Sequence, residues 1–402
     1  MNTQSTTVHI KLWHREFWMM AIANLLLSLS VTMLIPTLPR WLLGTQKLDA
    51  VWVGLIMGAF ALGLFLPGPF CSWLVQHYRR NLVFVFAVCV LAVSMLVPFL
   101  PSALLSQTVL FLWRVLQGSA FGLAQMVLSS TLIIDTCESR HRTEANHSAT
   151  WFGRFALSLG PMSGLLLLTL SHRFSGWSSL ADAAVPSLSF LNVLVVSAGF
   201  CVLAIVLVML IHFPFRVPDD NLRLFSLDRF FLPAGFPLFV NLLPVTLAVG
   251  LLMSLPISAN SYGMAMVGFL LALLSQHFVF RDADLKSEVV SGLLLIGAAL
   301  VILIASRFSP LTSPLVGLGL GLVGSRFLLF FIKLSRHCQR GTSQSTFLLG
   351  WESGLALGIG MGYACFYGRT MLLLTVSLAL VSVSLLYYIL FTHDWFVRHK
   401  NR

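Results

Sequence analysis

The sequence predicts an all-α polytopic membrane protein whose twelve transmembrane helices form two pseudo-symmetric bundles of six. Three observations predict it. Of 402 residues, 57% are hydrophobic and only 10% charged, with a mean hydropathy of +0.90, well outside the range of soluble domains. Apolar stretches of the roughly 20 residues that cross a bilayer follow one another almost without a break. Finally, Gly63, Gly68, Gln76, His77 and Tyr78 return as Gly263, Gly268, Gln276, His277 and Phe278, so the second half reads as a diverged copy of the first.

The first span runs from Phe17 to Pro39. Its apolar run exceeds the roughly 7–15 residues of a signal peptide, and Pro36 to Trp41 offers no small-residue cleavage site, so it is expected to remain as a helix. Five more spans follow at Ala50 to Val75, Asn81 to Leu100, Ser106 to Ile134, Ala149 to Leu170 and Leu188 to Ile211. The second set occupies Gly235 to Leu255, Asn260 to Val279, Val289 to Ser306, Pro314 to Lys333, Thr346 to Tyr367 and Met371 to Phe391. Between the sets lies a polar stretch with Pro214, Pro218, Asp219 and Asp220, where Phe225, Phe230 and Phe231 among charges suggest a short amphipathic segment in the interface. The expected division is residues 1–212 and 235–402 for the bundles and 213–234 for a cytoplasmic linker.

Two further alignments extend the repeat. Asn24 to Pro39 matches Asn241 to Pro256 at an offset of 217, and Leu157 to Gly160 matches Leu355 to Gly358 at 198, which pairs Arg154 with Glu352. With six spans per half, both copies enter the membrane in the same sense, so the pseudo-two-fold axis lies along the membrane normal and a cavity is expected on it.

Charge sets the orientation. With the amino terminus inside, the far side holds only Arg40, Lys47, Arg173, Arg307 and Arg369, while Lys11, Arg140, Arg216, Arg281, Arg402 and the other loop and tail cations are cytoplasmic. The net charge of +11 is spread over short loops and forms no basic domain. It points to anionic lipid at the surface of a cell (inner) membrane and not to nucleic acid. The six cysteines show no CxxC spacing and read as core hydrophobes, not disulfides or metal ligands. No Walker loop or other cofactor fingerprint is present, so an ion gradient is the expected energy source.

Three motifs carry chemistry. Arg114-Val115-Leu116-Gln117-Gly118 puts a guanidinium inside the fourth span, where it either faces a cavity or a partner, or snorkels to the interface. Gly160-Pro161-Met162-Ser163-Gly164 supplies a kink and small residues for close helix approach in the fifth. Gly68 to Asn81 forms the loop between spans two and three. Together these resemble motifs B, C and A of the major facilitator superfamily, over nearly the whole chain, in a divergent form similar to drug/proton antiporters.

The resemblance implies the major facilitator fold, a proton-coupling role for Arg114, and the export association of motif C. It also has gaps. In motif A, Gln76 stands where an aspartate is expected, His77 for an arginine and Arg79 for a glycine, whereas Arg80 fits and is placed to pair with Asp135. In motif C, Ala156 replaces the upstream glycine. The first span carries Asn24 where many drug exporters of the family carry a carboxylate.

Among the acids, Glu352 alone is read as lying inside an apolar span, which makes it the candidate proton carrier, with Arg154 as its charge partner if both face the cavity. The alternative is that each reaches water separately near a helix end. Asn24, Gln117 and Asn241 are candidates for the substrate cavity, with bonds between helices the alternative for the two asparagines. Arg326 is either a gate residue or snorkelling, and His77 and His277 read as solvated helix ends.

The function expected is secondary active transport, proton-coupled efflux of small organic molecules by alternating access. The alternative is solute uptake or facilitated diffusion. A membrane-embedded transferase finds no support beyond Asp219 and Asp220 in the linker. The expected partners are a small-molecule substrate, protons and the lipid bilayer, with the chain a monomer that needs no cofactor or metal.

Overall fold

The computed structural model describes residues 12–138, 141–175, 185–213, 223–280, 284–306 and 309–400. Lys11, Arg140, Pro214, Arg216, Pro218, Asp219, Asp220, Arg281, Arg307 and Arg402 lie outside the described residues. Twelve long helices appear among those described. They are α1 (Arg15–Gly44), α2 (Ala50–Phe65 continued by Gly68–His77 at 46°), α3 (Arg80–Phe99), α4 (Gln107–Asp135), α5 (Arg142–Ser175) and α6 (Val185–Met209), then α7 (Phe236–Met253), α8 (Ala259–Phe278), α9 (Leu285–Ser306), α10 (Thr312–Leu334), α11 (Arg340–Phe366) and α12 (Thr370–His399).

Ten are long and apolar enough to cross a bilayer singly, and α2 is an eleventh if its bent pair counts as one span. The twelfth, α11, has the length but not the composition. It contains Gly341, Gly350, Gly354, Gly358, Gly360 and Gly362 and an unbroken polar run from Thr342 to Thr346. Its buried residues lie all round its circumference, because α7 and α2 flank it closely, so little of it has to match lipid.

Glycines set how near the helices come. In the first half a Cβ at Gly118 would fall within 3.0 Å of the Phe60 carbonyl of α2, and one at Gly63 would do the same to Val115 of α4. The second half repeats this seam with Gly317 against Ala265 and Gly268 against Pro314. Likewise α1 meets α5 as α7 meets α11. Thr32 donates to the Ala156 carbonyl at 2.9 Å and fills the notch at Gly160, while Thr246 donates to Gly350 at 3.3 Å and fills the notch at Gly354. Gly164 then lies on Met33, where α1 breaks, as Gly358 lies on Leu247.

These contacts correct the register of the repeat. Thr32 and Thr246 are 214 positions apart, not 217, and Gly160 and Gly354 are 194 apart, not 198. Sliding a helix by three or four residues keeps the same face forward, so apolar pattern alone cannot separate the two alignments. In the corrected register Glu352 is the counterpart of Ser158, not of Arg154, and Asn24 and Asn241 are not equivalent.

Short loops make successive helices antiparallel, so α1 begins and α12 ends on one face, here the terminal face. The halves touch at both ends. At the far face Gly54 of α2 sits against Gly360 and Ala364 of α11. Deeper, Ser158 Oγ of α5 donates to the Tyr262 carbonyl of α8. Toward the terminal face His147 Nε2 and Ser325 Oγ share a hydrogen bond of 2.7 Å, Gln344 Nε2 donates to Thr150 Oγ1 at 2.6 Å, and Gly341 packs on Ser130.

The described part of the linker straps across this end. Ser226 N donates to Pro69 O of α2, and the Arg229 and Leu232 amides donate to Thr342 and Thr346 of α11. Phe230 does not lie in the lipid interface as its sequence context suggests. Its ring is buried in the notch left by Gly68, beside Phe65, where the α2 bend exposes backbone.

Replacing Gly118 with Ala is expected to lower stability by about 1–3 kcal/mol, because the methyl meets a carbonyl that cannot rotate away. Thermal unfolding of the detergent-solubilised protein measures it, and an unchanged midpoint would remove the glycine seam from this account.

Candidate functional site

A cavity with about 20 Å³ of room for water centres lies between α1, α4, α5 and α11. That volume holds a water molecule or so. Asn24, Ser28, Gln125, Thr150, Arg154, Gln344, Phe347, Trp351 and Glu352 are among its lining residues. Arg154 and Glu352 each stand twelve residues into their helices, counted from Arg142 and Arg340. At about 1.5 Å per residue this is about 18 Å from the terminal face, near mid-membrane. Neither is at a helix end.

The two charges share the cavity without pairing. The Glu352 carboxylate makes no hydrogen bond or ion pair among the described residues. Arg154 is 2% exposed, and none of its three guanidinium nitrogens has a hydrogen-bond partner among the described residues. Aromatic rings surround it instead, with the guanidinium carbon 5.0 Å from the Trp151 ring centre, 5.7 Å from Phe347 and 5.8 Å from Trp351. Such contacts are attractive but do not replace donors' acceptors. Gly324 of α10 gives the space, since a Cβ there would crowd Trp351 and approach Arg154 Nε to 3.2 Å.

The polar wall opposite is fixed. Asn24 Nδ2 donates to the Ala149 carbonyl at 2.8 Å, and Gln125 Nε2 donates to Asn24 Oδ1 at 3.0 Å and to Ser28 Oγ at 3.1 Å, tying α1, α4 and α5 together. Of the three residues assigned by sequence to a substrate cavity, only Asn24 lines this one. Gln117 is fully buried between Arg114, which donates to it at 2.7 Å, and Met95. Asn241 turns toward α12 and donates to the Ser384 carbonyl and Thr392 Oγ1. Both amides are spent on packing, the alternative open to Asn241 and a correction for Gln117.

Arg114 does not snorkel. It is 3% exposed, bonded to Gln117, and lies 4.6 Å from the Phe60 ring centre, inside the first bundle and away from the cavity. Gly160, Pro161 and Gly164 lie where α5 nests into the break of α1. At the terminal end Arg80 pairs with Asp135, both largely buried, and Gln76 reaches only Ser72 of its own helix. His77 stacks on Trp73 at 5.1 Å and is exposed, and Gly68 serves the linker as described.

Around that ion pair opens a second cavity of about 550 Å³, lined by Arg80, Arg142, Arg229, Arg336 and Arg340 with Asp135 and Asp228. Burial, then the neighbouring Arg80, holds the Arg229 guanidinium below the usual arginine range.

Glu288 is the residue sequence reasoning missed. Standing in the first turn of α9 among charged neighbours, it reads as a helix-end acid, yet it is fully buried. Arg326 of α10 pairs with it, and Gln276 Nε2 of α8 donates to it at 2.6 Å. Arg326 is thus neither free nor snorkelling.

Helices of bilayer length, joined by two repeated seams around a charged central cavity, define a polytopic membrane transporter. The sequence matches the family model for the Major Facilitator Superfamily over residues 20–392, and the chain belongs to that family. Its fold is similar to an auto-inhibited POT family peptide transporter (12% identity, TM-score 0.67, covering 97% of this chain and 98% of that one). It is likewise similar to a bacterial homolog of the human lysosomal transporter Spinster, inward-facing and occupied (16%, 0.66, 96% and 98%). A third likeness is to the E. coli fucose:proton symporter FucP (13%, 0.62, 92% and 97%). At these identities the likeness is one of fold. No curated protein sequence matches this chain.

The buried triad yields a stability test. Glu288→Gln leaves Arg326 uncompensated and is expected to cost about 3–5 kcal/mol, whereas Glu288→Leu combined with Arg326→Leu recovers most of it. Thermal midpoints decide, and a double variant no better than the single one would overturn the assignment of this pair as structural.

Proposed function

We propose that this chain is a proton-coupled exporter of small organic molecules at the cell (inner) membrane, with both termini cytoplasmic, working as a monomer by alternating access about the cavity between α1, α4, α5 and α11. The observation that carries the reading is the unpaired Glu352 carboxylate at mid-helix. A carboxylate without a fixed counter-ion gains a proton when the cavity is dry and loses it when water enters, which is the cycle a proton carrier needs. Arg154 on the same cavity is the cation whose approach or withdrawal biases that cycle. Arg114 has no proton to hold in this reading, and acts by keeping α4 packed on α2 and α3.

Export follows from the likeness of Gly160 to Gly164 to motif C. In support, these residues join α1 at its Met33 break to proline-containing α5, two of the helices that line the cavity. A specific observation favours the second reading, uptake. No carboxylate occurs along α1 between Phe17 and Gly44, and motif A has Gln76 in place of its acid.

A deletion strain compared with its parent in resistance and metabolite-accumulation screens identifies the substrate. In inside-out vesicles an imposed proton gradient is expected to drive its accumulation, and Glu352→Gln to abolish that coupling while leaving expression and binding intact. Unchanged proton-driven flux in the variant sinks the carrier role, and accumulation only in right-side-out vesicles replaces export by uptake.

A further inference from the structure

The central cavity holds a cation with no hydrogen-bond acceptor among the described residues, Glu288 acting on it only from a distance. Arginine stays charged under all ordinary conditions, and taking a guanidinium out of water costs several kcal/mol unless an acceptor replaces the lost hydration. The other two arginines inside the helical bundles each have an acceptor, although Arg114 Nε has none. Arg114 has Gln117 and Arg326 has Glu288. Arg154 alone among them has aromatic faces and no acceptor.

Acceptors nearby do not reach it. Gln344, whose amide N–H donates to Thr150, leaves its Oε1 buried and unbonded, and the Trp151 indole N–H beside Arg154 is likewise buried without a partner among the described residues. Glu352, the one acid on the cavity, does not reach the guanidinium. An arginine presents its donors as a planar fork, which matches the two oxygens of a carboxylate. Trp151, Phe347 and Trp351 lie around the guanidinium and offer flat apolar surface to the body of such a group.

We infer that Arg154 is the binding group for an organic anion, a carboxylate carried on an apolar or aromatic body, held by the guanidinium fork and flanked by Trp151, Phe347 and Trp351. This deepens the transport reading and rests on it for the claim that the bound molecule is cargo, though the site itself does not depend on proton coupling or on direction. The cavity in this structure is too small for such a molecule, so binding requires α5 and α11 to part. The hydrogen bonds His147 to Ser325 and Gln344 to Thr150 lie on that seam and break when it opens.

The test compares sodium benzoate with benzamide, isosteric probes that differ in charge, on the purified full-length protein at matched ionic strength. Benzoate is expected to raise the thermal midpoint in a saturable way and benzamide to leave it unmoved. Arg154→Gln is expected to erase the difference. Arg154→Lys keeps the charge but loses the fork, and raises the half-saturating benzoate concentration about tenfold. Equal effects of the two probes on the wild-type protein, including no effect of either, overturn the inference whether or not the glutamine variant folds. A benzoate preference that persists in a folded Arg154→Gln protein overturns it as well. Loss of proton-driven flux with this preference intact removes the proposed coupling and leaves the anion site standing. The reverse result removes the anion site alone.

Discussion

A guanidinium inside a helical bundle has lost its water, and its neighbours must restore what water provided. Much of this architecture answers to that requirement. Arg80 reaches from the start of α3 to Asp135 and so pins the α2–α3 corner to the end of α4. Arg326 draws α9 and α10 together through Glu288, and α8 joins them through Gln276. Arg114 lies across Phe60 and is braced by Gln117, which in turn rests on Met95 of α3. In each case the charge is settled within one half. Arg154 faces across the boundary between halves and is not settled there, so the place where the structure leaves charge uncompensated is also the place where its parts must separate.

The rest of the boundary combines single hydrogen bonds with one close helix pair. Single hydrogen bonds join His147 to Ser325 and Gln344 to Thr150, and glycine backbones meet where α2 crosses α11. The seams within each half, at Gly63 with Gly118 and Gly268 with Gly317, are of similar closeness to the α2–α11 seam. Rocking of one half on the other therefore has to work through this glycine-lined contact as well as the single hydrogen bonds. The linker contributes asymmetrically. By placing Phe230 under the α2 bend and its amides on α11, it fastens the terminal end more than the far end.

The sequence held the number and order of the helices, because apolar length and loop charge are local properties. It held the repeat but not its register. A slide of one turn returns the same face, and only the notch between Thr32 and Gly160, set against that between Thr246 and Gly354, distinguishes the alignments. The placing of Arg154 and Glu352 on one cavity followed from residues of unlike type at equal depth, even though their presumed equivalence was a register error. Gln117 and Asn241 were legible as polar residues in spans but not as packing residues, since which way an amide turns depends on neighbours far away in the chain. Glu288 was hidden for the opposite reason, as its local setting looks like a solvated helix end while α8 and α10 cover it.

The composition of α11 has a consequence for how the chain is made. A helix with six glycines and a run of threonine, serine and glutamine gains little by entering lipid alone, and several of its polar groups would then face hydrocarbon. Its stable environment is the groove between α7 and α2, which exists only once those helices are in place. During synthesis α11 therefore partitions into protein more readily than into the bilayer, and the last step of assembly is the filling of a slot by the helix that carries the central carboxylate.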